Sequence, residues 1–345
     1  MMIKSSWINL TNSCNNQCQW CYARNSMSNQ VMQFEKAIQI LDWIASIDCF
    51  KCILIGGEPT IHPNVVEVFK YGVFRGIKMH IVSNGRCFSD NYFCDKMIEV
   101  GLNKSNITVS MHASSKENSE FLTGCNRYFD EFSKGIKNLI QRGITPTINI
   151  VMSKMQCGHF DKMIEWASIS GINRLIFSSG LPIVSKNKVD ATYILTPNDF
   201  GREVVRVFGL AKKCSIEAQF LIKYPLCILS RTFIDELRSV KAIICGCHLQ
   251  SRSTILFDVK GGIVPCNHLL DFQIYNNIET ELIAKTGQMK NLWESDIKMR
   301  TINDFACVYR SEYCKNCDLW NICAGGCPLL WSYYSPSTVI NGWNY

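Results

Sequence analysis

Three cysteines lie close together near the start of the chain, at Cys14, Cys18 and Cys21, directly after a strand-like run at residues 7–11. Thiolates at such spacing are ligands for iron–sulfur clusters or for zinc. A [4Fe–4S] cluster is normally held by four cysteines, so three would leave one iron open. Structural zinc also needs four ligands, and the nearest further cysteines are Cys49 and Cys52. The spacing therefore favours an iron–sulfur cluster with an open iron.

A second array of cysteines occupies the last third of the chain. Its members are Cys245, Cys247, Cys266, Cys314, Cys317, Cys323 and Cys327. The last four form two close pairs, which would also suit a zinc ribbon. Metal spacing is missing around eight other cysteines, namely Cys49, Cys52, Cys87, Cys94, Cys125, Cys157, Cys214 and Cys227. We predict that most of these eight are buried in packing, as free cysteine commonly is.

Strands and helices are predicted to alternate up to about residue 180. The strand-like runs are 7–11, 51–56, 77–83, 105–111, 146–152 and 172–178. The segments with helical periodicity are 34–47, 62–75, 90–101, 129–142 and 159–170. Several helices end at a glycine stop: Gly76, Gly101, Gly143 and Gly171. Six βα units predict a parallel sheet with helices outside it, and functional loops at the carboxyl ends of the strands.

The loop after the second predicted strand is also unusual. It reads Gly56-Gly57-Glu58-Pro59, and paired glycines permit a close approach of the backbone. The three-cysteine loop follows the first strand, so both loops are expected at the same edge of the sheet.

Composition limits the class of protein. The chain has 345 residues, of which 47% are hydrophobic and 19% charged, with 19 cysteines and a formal charge of +7. No signal-peptide h-region or membrane-length apolar run is present, so we expect a cytoplasmic protein with reduced thiols and no membrane partner. Long basic runs are missing, and no nucleic-acid partner is expected.

The three-cysteine loop and the GGEP turn together resemble the radical S-adenosylmethionine (SAM) enzymes. The resemblance implies that the open iron binds SAM and that Gly56, Gly57, Glu58 and Pro59 hold its methionyl group. It further implies contacts from Asn84 and Ser110, and an adenine neighbour at Ile176. The implied fold class is α/β, a partial (β/α)6 TIM-like barrel followed by a small cysteine-rich α+β iron–sulfur domain. We expect the barrel over 1–215, a bridge over 216–240 and the second domain over 241–345.

The distal cysteines resemble the SPASM extension, which carries auxiliary [4Fe–4S] clusters in enzymes that mature peptides. The resemblance assigns Cys247, Cys266 and Cys327 to a first auxiliary cluster, with Cys245 as its possible fourth ligand. It assigns Cys314, Cys317 and Cys323 to a second. The final cysteine of the SPASM pattern is missing, so this second cluster uses Cys307, a non-cysteine ligand or an open iron, or it is absent.

These resemblances imply an enzyme that crosslinks a ribosomally made peptide through a thioether or carbon–carbon bond, or modifies it oxidatively. They imply a precursor peptide, a flavodoxin- or ferredoxin-type reductant and a separate leader-binding protein as partners. Epimerisation is an alternative, with Cys125 or Cys157 as hydrogen donor. Sulfatase maturation is another, although Asn267 stands where those enzymes have a basic Asp. An iron–sulfur electron carrier or scaffold is the non-enzyme alternative.

Overall fold

The computed structural model describes residues 3–47, 49–276 and 296–340. Within these ranges, one sheet contains ten strands in the spatial order β10-β9-β6-β5-β4-β3-β2-β1-β11-β12. The strands of this sheet and of a separate β7–β8 hairpin are β1 Ser5–Asn9, β2 Lys51–Ile55, β3 Lys78–Ser83, β4 Ile107–Ser110, β5 Thr147–Met152, β6 Arg174–Ser179, β7 Ile183–Ser185, β8 Lys188–Asp190, β9 Glu217–Leu221, β10 Ile243–Ile244, β11 Thr254–Phe257 and β12 Ile263–Val264. Residues 277–295 and 341–345 of the expected iron–sulfur domain lie outside the described residues.

Helices cover the outside of this sheet. They are α1 Phe34–Ser46, α2 Val65–Phe74, α3 Asn91–Glu99, α4 Lys116–Thr123, α5 Tyr128–Gln141, α6 Phe160–Ile169, α7 Pro197–Lys213, α8 Arg231–Ser239, α9 His248–Ser251, α10 Ile297–Cys307, α11 Glu312–Lys315, α12 Trp320–Cys323 and α13 Pro336–Val339.

The predicted parallel core is confirmed. Strands β1 to β6 pair side by side in sequence order, and every pair among them is parallel. The six predicted strands and five predicted helices match observed elements closely. The glycines expected to stop helices, Gly76, Gly101, Gly143 and Gly171, all have positive φ, which a residue with a Cβ rarely adopts.

Alternation along the strands separates two faces of the sheet. On β6, Phe177 is fully buried and contacts Phe160 of α6, so this side faces the helices. Ile176 and Ser178 point the other way, into the barrel, where Ser178 donates a hydrogen bond to the Asn149 side chain. The interior face is therefore partly polar, as a binding site requires, while the outer face supplies the core.

The range expected to be a bridge, 216–240, contains regular structure. It includes β9, which pairs in parallel with β6, and the nine-residue helix α8. The sequence signal for β9 was weak because only Ala218 and Phe220 are buried in a five-residue strand. The barrel thus continues past its sixth strand.

The cysteine-rich part of the chain also joins the main sheet. Strand β11 pairs in parallel with β1, and β12 pairs antiparallel with β11. Its buried residues, such as Phe257 and Leu330, belong to the same hydrophobic core as the barrel. In the described part of the chain, no helix is both long and apolar enough to cross a bilayer.

Candidate active site

The three N-terminal cysteines lie in the loop between β1 and α1, at the carboxyl end of the first strand. Thr11 forms an antiparallel bridge with Val31, which closes the loop on itself. The backbone N–H of Gln17 donates to the Thr123 carbonyl at 2.7 Å, which connects the loop to the end of α4. The loop is therefore held from both sides of the sheet edge.

The environment of these thiols fits a metal cluster. Burial, together with nearby Glu58 and Cys21, raises the pKa of Cys14 to about 12. Burial also raises the pKa of Cys18 and of Cys21, and Cys18 has both other thiols as neighbours. Free thiols with raised pKa stay protonated at neutral pH, and only thiolates bind metal. Cluster binding would therefore release protons from this loop.

The glycine turn after β2 presses against the cysteine loop. Gly57 donates its N–H to the Thr11 carbonyl at 2.6 Å, and Glu58 donates its N–H to the Ser13 carbonyl at 2.8 Å. A Cβ added to Gly57 would lie 2.2 Å from the Ser13 carbonyl oxygen. Only glycine allows this approach, so Gly56-Gly57 fixes the height of the cysteine loop above the sheet.

The Glu58 carboxylate is 1% exposed and both of its oxygens are occupied. One oxygen accepts hydrogen bonds from the Thr60 N–H at 3.0 Å and hydroxyl at 2.6 Å, and the other accepts from the Asn84 N–H at 2.6 Å. Burial raises the pKa of Glu58, while these hydrogen bonds lower it. Glu58 therefore joins the ends of β2 and β3. Pro59 follows it and begins a short 3-10 turn.

Asn84 and Arg86 support the cysteine loop from the end of β3. Asn84 donates its side-chain N–H to the Asn15 side chain at 2.6 Å. Arg86 is 5% exposed and donates to the Asn16 side-chain oxygen at 2.9 Å and to Glu131 at 2.6 Å. Asn84 was predicted from the sequence, but Arg86 was not. Its position directly after Gly85, at the end of β3, could have indicated a role at this edge.

Ser110 ends β4 at the same sheet edge. Its carbonyl accepts a hydrogen bond from the Tyr128 hydroxyl at 3.0 Å, and that hydroxyl accepts one from the His112 N–H at 2.8 Å. Burial lowers the pKa of His112 to about 4, so its ring is neutral. The Nδ1 atom of His112 is buried without a hydrogen-bond partner among the described residues. Ile176 lies on the barrel-facing side of β6, where an adenine ring would need an apolar neighbour.

The distal cysteines form two groups. In the first, Cys247, Cys266 and Cys327 are electrostatic neighbours, and Lys223 stands among them and donates to the Gly246 carbonyl at 2.6 Å. Burial raises the pKa of Cys266 and of Cys327 to about 12. The nearby Lys223 favours the anionic form of Cys266 and Cys327, which a cluster requires.

The second group contains Cys314, Cys317 and Cys323. Cys245, which the resemblance offered to the first cluster, has Cys323 as its neighbouring thiol. Cys307 is exposed and has Cys247 as its neighbour. The described structure therefore turns Cys245 towards the second group and Cys307 towards the first.

Zinc fits these groups less well than clusters do. In the ranges described, no three His, Cys, Asp or Glu side chains are arranged to hold a single metal ion. A tetrahedral zinc with Zn–S bonds of about 2.3 Å needs its sulfurs in close contact, whereas a cubane carries its cysteines on separate irons. Cys52, a candidate fourth ligand for the N-terminal triplet, is the second residue of β2 and lies at the opposite end of this strand from the triplet.

Tyr22 connects the N-terminal loop with the first distal group. Its ring packs on His268 with centroids 4.7 Å apart, and its neighbours include Cys21, Cys266 and Asn267, which hydrogen-bonds its side chain. Burial raises the pKa of Tyr22, so the phenol is neutral. Sequence reasoning missed this residue, because its position directly after Cys21 does not reveal a contact some 245 residues away in the chain.

The two hydrogen-donor candidates have different surroundings. Cys125 follows α4, next to the segment that holds Gln17, and its N–H is bonded to the Thr123 hydroxyl at 3.2 Å. Burial raises the pKa of Cys157, whose neighbour is Glu203 of the outer helix α7. Cys125 therefore lies beside the cysteine loop, whereas Cys157 faces the helices.

A polar cleft of about 480 Å³ opens at the same sheet edge. Its lining comes from Asn9 and Asn12 at the end of β1, from Asp258 and Gln273 around β12, and from Ser185 in the β7–β8 hairpin. Asn12, Asn25 and Ser26 of the lining belong to the β1–α1 loop, so the cleft adjoins the cysteine loop. It is large enough for several residues of an extended chain.

A partial parallel barrel with three cysteines and a glycine turn at its carboxyl edge defines an enzyme that binds its cofactors at that edge. Residues 8–167 match the Radical SAM superfamily. The barrel over residues 8–167 is therefore identified as a radical SAM domain, a family that implies SAM and one [4Fe–4S] cluster.

Comparison by sequence and comparison by structure find different kinds of similar proteins. A "Probable GTP 3′,8-cyclase" from Saccharolobus islandicus is 30% identical over 173 residues, covering 49% of this chain and 54% of that protein. The chain spans about half the length of the curated relatives it matches. Among solved structures, Streptococcus suis SuiB bound to precursor peptide SuiA has a TM-score of 0.70 at 18% identity, over 97% of this chain and 74% of that one. Native anSMEcpe with bound AdoMet and Cp18Cys peptide has a TM-score of 0.69 at 16% identity, over 97% and 96%. These two similarities establish the fold across nearly the whole chain.

Proposed function

We propose that this protein is a peptide maturase that crosslinks a ribosomally made peptide through a thioether or carbon–carbon bond, or modifies it oxidatively. The observation that carries this proposal is the polar cleft beside the cysteine loop, with a distal cysteine group joined to that loop through Tyr22. The fold shared with structures that hold peptides supports the same substrate class.

Residues of this chain would divide the work. Cys14, Cys18 and Cys21 would hold a [4Fe–4S] cluster, which in its reduced form supplies the electron that cleaves SAM to a hydrogen-abstracting radical. Arg86 and the Gly56-Gly57 turn hold the cysteine loop in place. The distal cysteines would hold one or two auxiliary [4Fe–4S] clusters that accept the electron left on the substrate.

We further propose a precursor peptide, a separate leader-binding protein and a flavodoxin- or ferredoxin-type reductant as partners, in a reducing cytoplasm. Epimerisation is the second candidate, because Cys125 lies next to the cysteine loop where a hydrogen donor is needed. Formylglycine formation is disfavoured, because Asn267 cannot accept a proton and its side chain is bonded to Tyr22.

The test is anoxic incubation of the reconstituted protein with SAM, dithionite and synthetic peptides encoded beside its gene. We expect 5′-deoxyadenosine together with a peptide that has lost hydrogen, and neither product from Cys18→Ala. A parallel reaction with GTP covers the chemistry of the curated relatives. Turnover of GTP without any change in peptide mass would refute the peptide substrate. Absence of deoxyadenosine would refute the assignment as a SAM-cleaving enzyme.

A further inference from the structure

Cys227 stands next to a cysteine group that has only three members. It lies in a short 3-10 turn, Leu226–Ile228, between β9 and α8. Its position in the sequence, 87 residues before Cys314, gave no sign of metal binding, and we predicted packing for it. The fold brings this turn close to the distal cysteines.

Direct contacts place this turn on the distal loop. The N–H of Leu226, the residue preceding Cys227, donates to the Sγ atom of Cys323 at 3.2 Å. An N–H directed at sulfur is typical of the surroundings of a cluster thiolate, because it stabilises the negative charge. Cys227 is therefore adjacent to a residue that already contacts one of the three cysteines.

Contacts before and after the turn at Leu226–Ile228 hold it against the distal cysteine segment. Before the turn, the Lys223 carbonyl accepts the Cys327 N–H at 2.6 Å. After it, Arg231 forms two hydrogen bonds to the Asp318 carboxylate, at 2.8 and 2.5 Å. Glycine at position 326 is required by this packing, because a Cβ there would lie 2.9 Å from the Lys223 carbonyl oxygen.

Cys227 lies near the three cysteines of the second group, because its neighbour Leu226 donates to Cys323. Cys227 is half-buried, and its pKa is raised to about 12 by burial and then by Cys323, Cys314 and Cys317. The surroundings of the two rival thiols differ: Cys323 is the thiol that raises the pKa of Cys245, and Cys307 neighbours Cys247 of the other group. A cubane normally takes four cysteine ligands, one on each iron.

We propose that Cys227 is the fourth cysteine ligand of an iron–sulfur cluster held by Cys314, Cys317 and Cys323. This inference rests on the auxiliary clusters of the proposed function. On binding, the Cys227 thiol loses its proton to solvent and its sulfur bonds to the fourth iron, with no change of oxidation state. A cluster closed in this way has no open iron for substrate, so it would carry electrons, and the peptide would bind in the cleft instead.

The test uses a parent protein with Cys14, Cys18 and Cys21 all replaced by Ala, so that only distal clusters contribute iron. Iron, acid-labile sulfide and electron paramagnetic resonance spectra are measured after anoxic reconstitution. We expect about eight irons in this parent, and a loss of about one to four in its Cys227→Ala derivative, with a three-iron signal on oxidation. Cys214→Ala is the matched control and should keep the iron of the parent.

Iron and spectra unchanged in Cys227→Ala, with loss in Cys245→Ala or Cys307→Ala, would overturn the inference and leave the auxiliary clusters standing. A parent protein without bound iron would refute both the Cys227 ligation and the auxiliary clusters. Protection of the unmutated chain from iodoacetamide provides a measurement that does not depend on a variant's folding. On reconstitution, alkylation of Cys227 should fall together with that of Cys323, and unchanged alkylation of Cys227 alone would refute its ligation.

Discussion

Replacing Gly57 by Ala tests how the glycine turn positions the cysteine loop. The new Cβ would lie 2.2 Å from the Ser13 carbonyl oxygen and 2.6 Å from its carbon, so the two backbones must separate by at least about 0.8 Å to reach the 3.0 Å limit of real contacts. Overpacking of this kind costs about 1–3 kcal/mol. Losing the 2.6 Å bond from Gly57 to Thr11 and the 2.8 Å bond from Glu58 to Ser13 adds about 1 kcal/mol each.

We therefore expect Gly57→Ala to lower the free energy of unfolding by about 3–5 kcal/mol and to weaken SAM binding about tenfold or more, equivalent to about 1.4 kcal/mol. Unfolding of the apoprotein in urea and equilibrium dialysis of the reconstituted protein measure the two effects. Gly209→Ala is the matched control, since no atom lies within 4 Å of its added Cβ. A Gly57→Ala protein with unchanged stability and SAM affinity would refute the reasoning.

Four further substitutions test other parts of the molecule. Arg86→Met removes the 2.9 Å bond to Asn16 and a buried cation under the cysteine loop, so we expect a loss of about 2 kcal/mol in urea unfolding and slower iron uptake. The pKa of His80 is lowered to about 4 by burial and then by Lys51, so the unfolded chain binds more protons between about pH 4 and 6.5 and stability falls with acidity there. His80→Gln should remove about 2 kcal/mol of the stability difference between pH 7.5 and pH 5, and an unaltered pH dependence would contradict the assigned burial. If the product is an epimer, Cys125→Ala should abolish deuterium incorporation from heavy water whereas Cys157→Ala should not, and the reverse pattern would exclude Cys125 as donor.

The barrel could be predicted because its signals are local. Alternation along β5 and helical periodicity in α5 each arise within one element, and the turn at Gly171 requires a positive φ that glycine supplies. The cysteine loop and the glycine turn could be placed together because the carboxyl ends of neighbouring parallel strands meet at one edge. Such inferences need only the order of the strands.

Contacts between elements that are far apart in the sequence could not be predicted. Strand β9 was overlooked because it has only two buried residues, and β11 because nothing local indicates that it pairs with β1. That pairing brings Cys266 beside Tyr22. The contact between the N-terminal loop and the first distal cysteine group therefore depends on long-range sheet pairing, which cannot be predicted from spacing along the chain.

Cys227 shows why a missing motif position need not mean a missing ligand. A cluster requires four thiolates in space, and the chain can supply the fourth from any element that packs against the other three. Here the continuation of the barrel through β9 carries the turn at Leu226 onto Cys323, and Arg231 fastens the next helix to Asp318. The strand that extends the barrel beyond its sixth strand therefore brings the proposed ligand Cys227 next to Cys323. Because Arg231 holds α8 to Asp318, Arg231→Ala should lower the iron content of the second group before that of the first, as measured by iron analysis.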